Sequence, residues 1–240
     1  MKKVDLTEGK VINVLTALAL PIMGSSLLQF TYNLIDMLWV GGLGSDAVAS
    51  IGSSSFFIGL GYSINSLVVI GTGIKVSHAI GKKDNEEVSK YINSGIAINF
   101  VIAIIYGLVL IALGKNFISF LNLNNDIVER GSYYYLAINA QILFFSFFNF
   151  LYTRIFSSFG NNGDSLKINA IGMILNIILD PIFIYIFKLG VLGAAVATLI
   201  SNIVIFILYK VKSNGILNYN KYVGIDKGKI LEIIRLGFPM

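Results

Sequence analysis

Long, nearly uninterrupted apolar runs constrain this chain more than any other feature. A helix rises about 1.5 Å per residue, so about 20 mostly apolar residues cross the roughly 30 Å of hydrocarbon in a bilayer. Six stretches meet that requirement, at 12–40, 48–74, 91–114, 131–158, 166–187 and 190–209. They show no ten-residue alternation of apolar and polar side chains, so they are expected as helices and not as barrel strands. The expected fold is all-α, a polytopic membrane protein built on a bundle of six transmembrane helices.

Composition excludes the alternatives. Of the 240 residues, 55% are hydrophobic and 13% charged, and the mean hydropathy is +0.78. A soluble domain carries about 25% charged residues, and this chain lacks the polar surface to cover a core of its size in water. There is no cysteine and one histidine, His78, so thiolate chemistry and a histidine-rich metal site are not expected. His78 lies in a basic connector beside Lys75 and Lys82 and reads as solvated. Two Gly-x-Gly pairs, Gly59 with Gly61 and Gly71 with Gly73, sit inside an apolar run without the Lys-Ser/Thr of a phosphate loop. They read as close helix packing. No enzymatic activity and no organic cofactor are expected.

The net charge of +5 encodes topology. With a cytoplasmic N-terminus, the inner segments hold fifteen of the eighteen Lys and Arg, and the outer segments only Lys115, Arg130 and Lys188. That asymmetry places both ends of the six-span unit inside a cell membrane and leaves no basic patch for nucleic acid. Lys2 and Lys3 are followed by Asp5 and Glu8 and by a long apolar run, so the start reads as a cytoplasmic tail and not as a cleaved signal. Gly41–Ser45 and Gly160–Ser165 read as turns, the second with Asp164 or Ser165 as a helix cap.

Two acids break the pattern. Asp36 lies in the first span and Asp180 in the fifth. A carboxylate at membrane depth is costly unless paired, hydrated or protonated, and such residues mark functional sites. Their neighbours are polar at helical spacing, since positions three, four and seven apart share a face. Gln29, Tyr32, Asn33 and Asp36 form one stripe, Asn169, Asn176 and Asp180 a second, and Thr198 with Asn202 a third. Facing lipid, each stripe would be unstable, so they are expected to face one another across a partly wet cavity. Pro21 and Pro181 remove backbone donors within the spans and are expected as hinges, Pro181 freeing the Ile177 carbonyl beside the acid. Two such acids can take up and release a proton, or with Asn and Thr oxygens hold Na⁺, a hard cation. The residues leave both open. Helix packing is the alternative for any single Asn or Thr. The aromatic run Phe144–Phe150 reads as lipid contact or core, with the lining of an apolar drug cavity as the alternative, and Tyr133–Tyr135 as an interfacial cluster.

Short motifs in a fixed order carry a family resemblance. They are Leu6-Thr7-Glu8-Gly9, Leu18-Ala19-Leu20-Pro21-Ile22, Tyr32-Asn33-Leu34-Ile35-Asp36 and Ala47-Val48-Ala49-Ser50-Ile51-Gly52. Arg154 with Gly160, Gly163 and Asp164 follows. The most specific are Leu175-Asn176-Ile177-Ile178-Leu179-Asp180-Pro181 and Leu189-Gly190-Val191-Leu192-Gly193-Ala194-Ala195, followed by Ala197-Thr198. In that order the chain resembles the multidrug and toxic compound extrusion (MATE) family. The resemblance implies a twelve-helix transporter of two six-helix lobes that exports small organic cations by H⁺ or Na⁺ antiport. It also implies a coupling-cation site at Asp36, Asn176, Asp180 and Thr198, with Tyr32 and Tyr135 nearby. Gln29, Asn33 and Asn202 are candidates for site support or the substrate cavity. Ile233–Met240 echoes Leu15–Ile22, so 1–209 is expected as the N-terminal lobe, 210–229 as a basic cytoplasmic linker, and 230–240 as the start of a second lobe. A lipid-linked oligosaccharide flippase of related fold is the alternative. It is disfavoured because Arg154 and Arg130 are the only arginines at the spans, and both lie at span ends. A membrane scaffold without transport is a second alternative.

Overall fold

The computed structural model describes residues 11–216 and 224–238. Leu6–Gly9, Lys2, Lys3, Pro239 and the middle of the expected linker therefore lie outside the described residues. Six long helices follow one another: α1 (Val11–Gly41), α2 (Ser45–Gly81), α3 (Asn85–Phe120), α4 (Asp126–Ser158), α5 (Asn162–Pro181) and α6 (Val191–Ile216). A shorter helix, α7 (Lys227–Gly237), comes after them, and no strand occurs among the described residues. Five helices, from α2 to α6, are long and apolar enough to cross a membrane; α5 counts together with a π-helical turn over Ile182–Ile186.

α1 to α4 cover the stretches expected for them, whereas α5 with its π turn stops at Ile186, one residue short of 187, and α6 begins at Val191, one residue after 190. α3 extends several residues beyond 91–114 at both ends, and its N-terminal flank is capped by a side chain. The Asp84 side chain accepts from Glu87 N at 2.9 Å, and Asn125 caps α4 by accepting from Ile127 N and Val128 N. Such caps satisfy amides that have no partner within the helix. α6 continues to Ile216, past the lobe boundary expected at 209, and α7 begins at Lys227, inside the expected linker.

Two local expectations are corrected. Asp164 and Ser165 do not cap α5, because the helix already begins at Asn162. Gly160, at φ 72°, reverses the chain directly after α4, so the turn needs fewer residues than the six expected. α5 ends at Pro181, and a π-helical turn over Ile182–Ile186 continues its course. Ile182 N bonds to the Leu179 carbonyl and Phe187 N closes the turn on Ile182 O at 2.9 Å; such turns accompany a disturbed ladder.

α4 is the central helix. It packs against α2, α3 and α6, while α1 leans on α5 and α5 on α6. Serine hydroxyls tie α2 to α4 in successive turns, Ser50 to the Val128 carbonyl and Ser54 to the Ser132 carbonyl. The Gly-x-Gly reading holds in three of four places. Gly61 meets the Tyr106 ring, Gly71 the Ile233 carbonyl and Gly73 the Arg154 side chain, whereas Gly59 has no neighbour within 4 Å. His78 is exposed in the last turn of α2.

α7 lies on α2 and α3. A Cβ at Gly71 would collide with the Ile233 carbonyl, and one at Gly237 with the Leu67 carbonyl, so two bare glycines set the helix spacing. Around this seam Glu232 pairs with Lys75 and accepts from the Tyr91 hydroxyl at 2.6 Å. Lys229 bridges Glu87 at 2.9 Å and Glu232 at 3.6 Å. Hydrogen bonds from Lys75 and then Tyr91 hold the Glu232 carboxyl down at about 2.

Because the folded value lies below the ordinary 4.5, the ion contact contributes above pH 4.5 and is lost as pH falls towards 2. The Glu232 side chain is 41% exposed, so the contribution is small, at most about 1 kcal/mol. Gly71→Val, which drives a side chain into backbone, is expected to cost more, about 1–3 kcal/mol. Spin-label distances between α7 and α2, measured against pH and in Gly71→Val and Glu232→Gln, check both: the glycine variant separates the helices at neutral pH, and the glutamine variant weakens the acid response.

Candidate functional site

The three polar stripes do meet. Asn176 on α5 is 2% exposed and Asp180, one turn later, is completely buried. In the amide orientation that satisfies both ends, Asn176 Nδ2 donates to Asp180 Oδ2 at 3.0 Å and to the Tyr32 hydroxyl at 3.2 Å, and its oxygen accepts from Thr198 N at 3.0 Å. One amide thus joins α1, α5 and α6. The Thr198 hydroxyl donates to the Ala194 carbonyl at 2.9 Å. Asp36 stands near enough for its charge to act on Asp180, Tyr32 and Tyr135, so the two acids and two tyrosines share one region. Among the described residues neither acid is ion-paired to Lys or Arg. No group of three or more His, Cys, Asp or Glu able to hold a metal ion occurs among them either.

A cavity of about 580 Å³ opens beside this cluster, bounded by α1, α4, α5 and α6 and by Tyr62 of α2. Gln29, Tyr32 and Asn33 line it from α1, Asn169 and Asn176 from α5, and Thr198 and Asn202 from α6. Gln29 donates to Asn33 at 3.0 Å along the stripe. Asp36, Asp180 and Tyr135 are not in the lining; they sit at the end of the cavity nearest the C-terminus of α1 and the N-terminus of α6. Pro181 follows the acid at the start of the π turn. Pro21 lies in the backbone of α1, and its side chain is outside the described residues.

Sequence reasoning missed one wall. Ser146, Asn149 and Thr153 of α4 also line the cavity. Asn202 is their hub: its Oδ1 accepts from Ser146 Oγ at 2.9 Å and Asn149 Nδ2 at 3.1 Å, and its Nδ2 donates to the Thr198 carbonyl at 2.9 Å. The spacing of three and four residues was a readable signal. It was masked by the phenylalanines between: Phe147 and Phe148 are buried core, and Phe150 lines the cavity.

Membrane-length helices around a half-open cavity lined by polar side chains, next to two acids that are not ion-paired among the described residues, define a multi-pass helical membrane protein. A model of the family described as MatE matches residues 21–182, and the chain belongs to that family. It is 29% identical over 216 residues to the probable multidrug resistance protein YpnP of Bacillus subtilis (strain 168), covering 86% of this chain and 46% of the relative. It is 28% identical over 250 residues to the multidrug export protein MepA of Staphylococcus aureus (strain N315), covering 97% and 52%. A crystal structure of MATE in complex with MaL6 superposes with a TM-score of 0.90 at 25% identity, covering 99% of this chain and 54% of the other. The chain therefore spans about half the length of the relatives it matches.

Replacing Asn202 by Leu removes the side-chain acceptor of Ser146 Oγ, while Asn149 Nδ2 keeps the backbone carbonyl of residue 202 at 3.0 Å. The stranded hydroxyl is expected to cost about 1–3 kcal/mol, and a lowered unfolding temperature of the purified protein in lipid nanodiscs checks it.

Proposed function

We propose that this chain is the N-terminal lobe of a two-lobe transporter in the cell membrane. The transporter exports small organic cations, a multidrug range of them, by antiport against H⁺ or Na⁺. The N-terminus lies in the cytoplasm, as the lysine and arginine distribution suggests. The activity is transport and not catalysis. Relatives named for multidrug resistance and export support the substrate class.

One observation carries the reading. A buried Asp180–Asn176 pair, tied to Thr198 and Tyr32 and within electrostatic reach of Asp36, stands without a basic partner among the described residues, beside a cavity lined by polar side chains. Uncompensated acids at that depth are costly, and a coupling cation compensates them. A proton would neutralise one carboxylate. A sodium ion would take oxygens from Asp36, Asp180, Asn176 and Thr198, with Tyr32 and Tyr135 closing the site. Either ion removes charge where α1 meets α5 and α6, favouring one bend of the Pro21-bearing helix over another. Such coupling requires different cation affinities in the inward- and outward-open states. Pro181 would give the end of α5 the same freedom.

The test is ion-driven efflux of a fluorescent organic cation in vesicles bearing the full-length protein, with Asp36→Asn and Asp180→Asn. Each substitution is expected to lower coupled efflux at least about tenfold, the value of one 1.4 kcal/mol interaction. Retention of wild-type coupled efflux by both variants overturns the mechanism. Imposing the pH and sodium gradients separately identifies the ion.

A further inference from the structure

Tyr209 of α6 is a completely buried tyrosine that the cavity lining does not include. Its hydroxyl nevertheless reaches two residues that do line the cavity. It is 2.8 Å from the Thr153 hydroxyl of α4 and donates to Asn169 Oδ1 of α5 at 3.4 Å. Ser165, one turn earlier on α5, stands beside the same hydroxyl. The ring body belongs to the apolar core, stacked on Tyr152 at 5.9 Å and edge-on to Phe156 at 5.2 Å between ring centres. One side chain thus places an apolar plate in the core and a polar tip in the cavity floor.

The floor is thin. Asn169 is seven residues from Asn162, where α5 begins, about 10 Å at helical rise. Beyond it Asp164 and Lys212 stand 3.8 Å apart, both partly exposed. From the floor back to the acids the interior is polar at each step. Thr198, Asn202 and Tyr209 lie four and seven residues apart and share one face of α6. Asn176 joins Thr198 to Asp180, Asn202 donates to the Thr198 carbonyl and accepts from Asn149, and Thr153 donates to the Asn149 carbonyl at 2.8 Å. The last link is adjustable. A hydroxyl has one proton, so with Thr153 serving that carbonyl, Tyr209 can donate to Thr153 or to Asn169 and not to both.

We propose that Tyr209 is the plug of a cation route that runs through this lobe, from Asp180 along α6 to the cytoplasmic surface. The file of amide and hydroxyl oxygens suits a hard cation or a proton carried by water, and it passes between side chains too close together for an aromatic solute. Cation and solute therefore leave the cavity by different paths. The inference rests on the antiport reading and on a cytoplasmic end of α6.

The experiment follows the collapse of an imposed pH or sodium gradient in vesicles bearing the full-length protein, with no solute present. Wild type is expected to be tight. Tyr209→Leu, which keeps apolar bulk but loses ring and hydroxyl, is expected to leak about tenfold faster, and Tyr209→Phe, which keeps the ring, to leak less than Tyr209→Leu. Thr153→Val, which removes half of the clasp and leaves every ring in place, is expected to leak in the same direction, so the result does not hang on the folding of one variant. Phe147→Leu makes a matching change in a fully buried ring of the other apolar core and is expected to stay tight. Adding Asp180→Asn to Tyr209→Leu is expected to suppress the leak, because the route begins at that carboxylate. Tight Tyr209→Leu and Thr153→Val variants, an equal leak in Phe147→Leu, or a leak indifferent to Asp180→Asn assigns Tyr209 to packing alone and overturns the plug. Failure of wild type to export an organic cation overturns the export reading instead, and the leak, measured without solute, keeps the two failures apart.

Discussion

In a hydrocarbon environment a polar side chain finds its partner inside the bundle or not at all, and this constraint organises the chain. Asn176 meets it with a single amide that reaches Asp180 on its own helix, Tyr32 on α1 and the backbone of Thr198 on α6. Asn202 repeats the solution one turn further along α6, serving Ser146 and Asn149 of α4. These two amides link α1, α4, α5 and α6 around the cavity, and the wall that lines it is also a network of hydrogen bonds.

The interior is uneven in charge along its length. Asp36 and Asp180 stand near the C-terminal ends of α1 and α5. Away from them the polar lining is neutral, made of amides and hydroxyls, with aromatic rings between.

α7 shows how little electrostatics contributes to a helix seam that close contact already sets. Its ion contacts with α2 and α3 lie partly in solvent, where pairs are worth at most about 1 kcal/mol. The backbone approaches at Gly71 and Gly237 allow no side chain at all. The seam is therefore specified sterically and adjusted by charge.

Much of this was legible in the sequence. Six apolar runs of spanning length determine the helices. The 3–4 residue spacing of Gln29, Tyr32, Asn33 and Asp36, and of Asn169, Asn176 and Asp180, determines which faces must turn inward, because helix periodicity is a local property. The helix ends were less legible, since capping depends on single side chains: Asp84 and Asn125 extend α3 and α4 outward, and Gly160 lets α5 begin before Asp164. Other features arose only in three dimensions. The α4 wall was hidden among phenylalanines whose burial depends on neighbours in α2 and α3. The Tyr209 clasp needs Thr153 from α4 and Asn169 from α5 brought to one place. Sequence alone decides what each helix must hide; only the packing of one helix against another decides what it is hidden against.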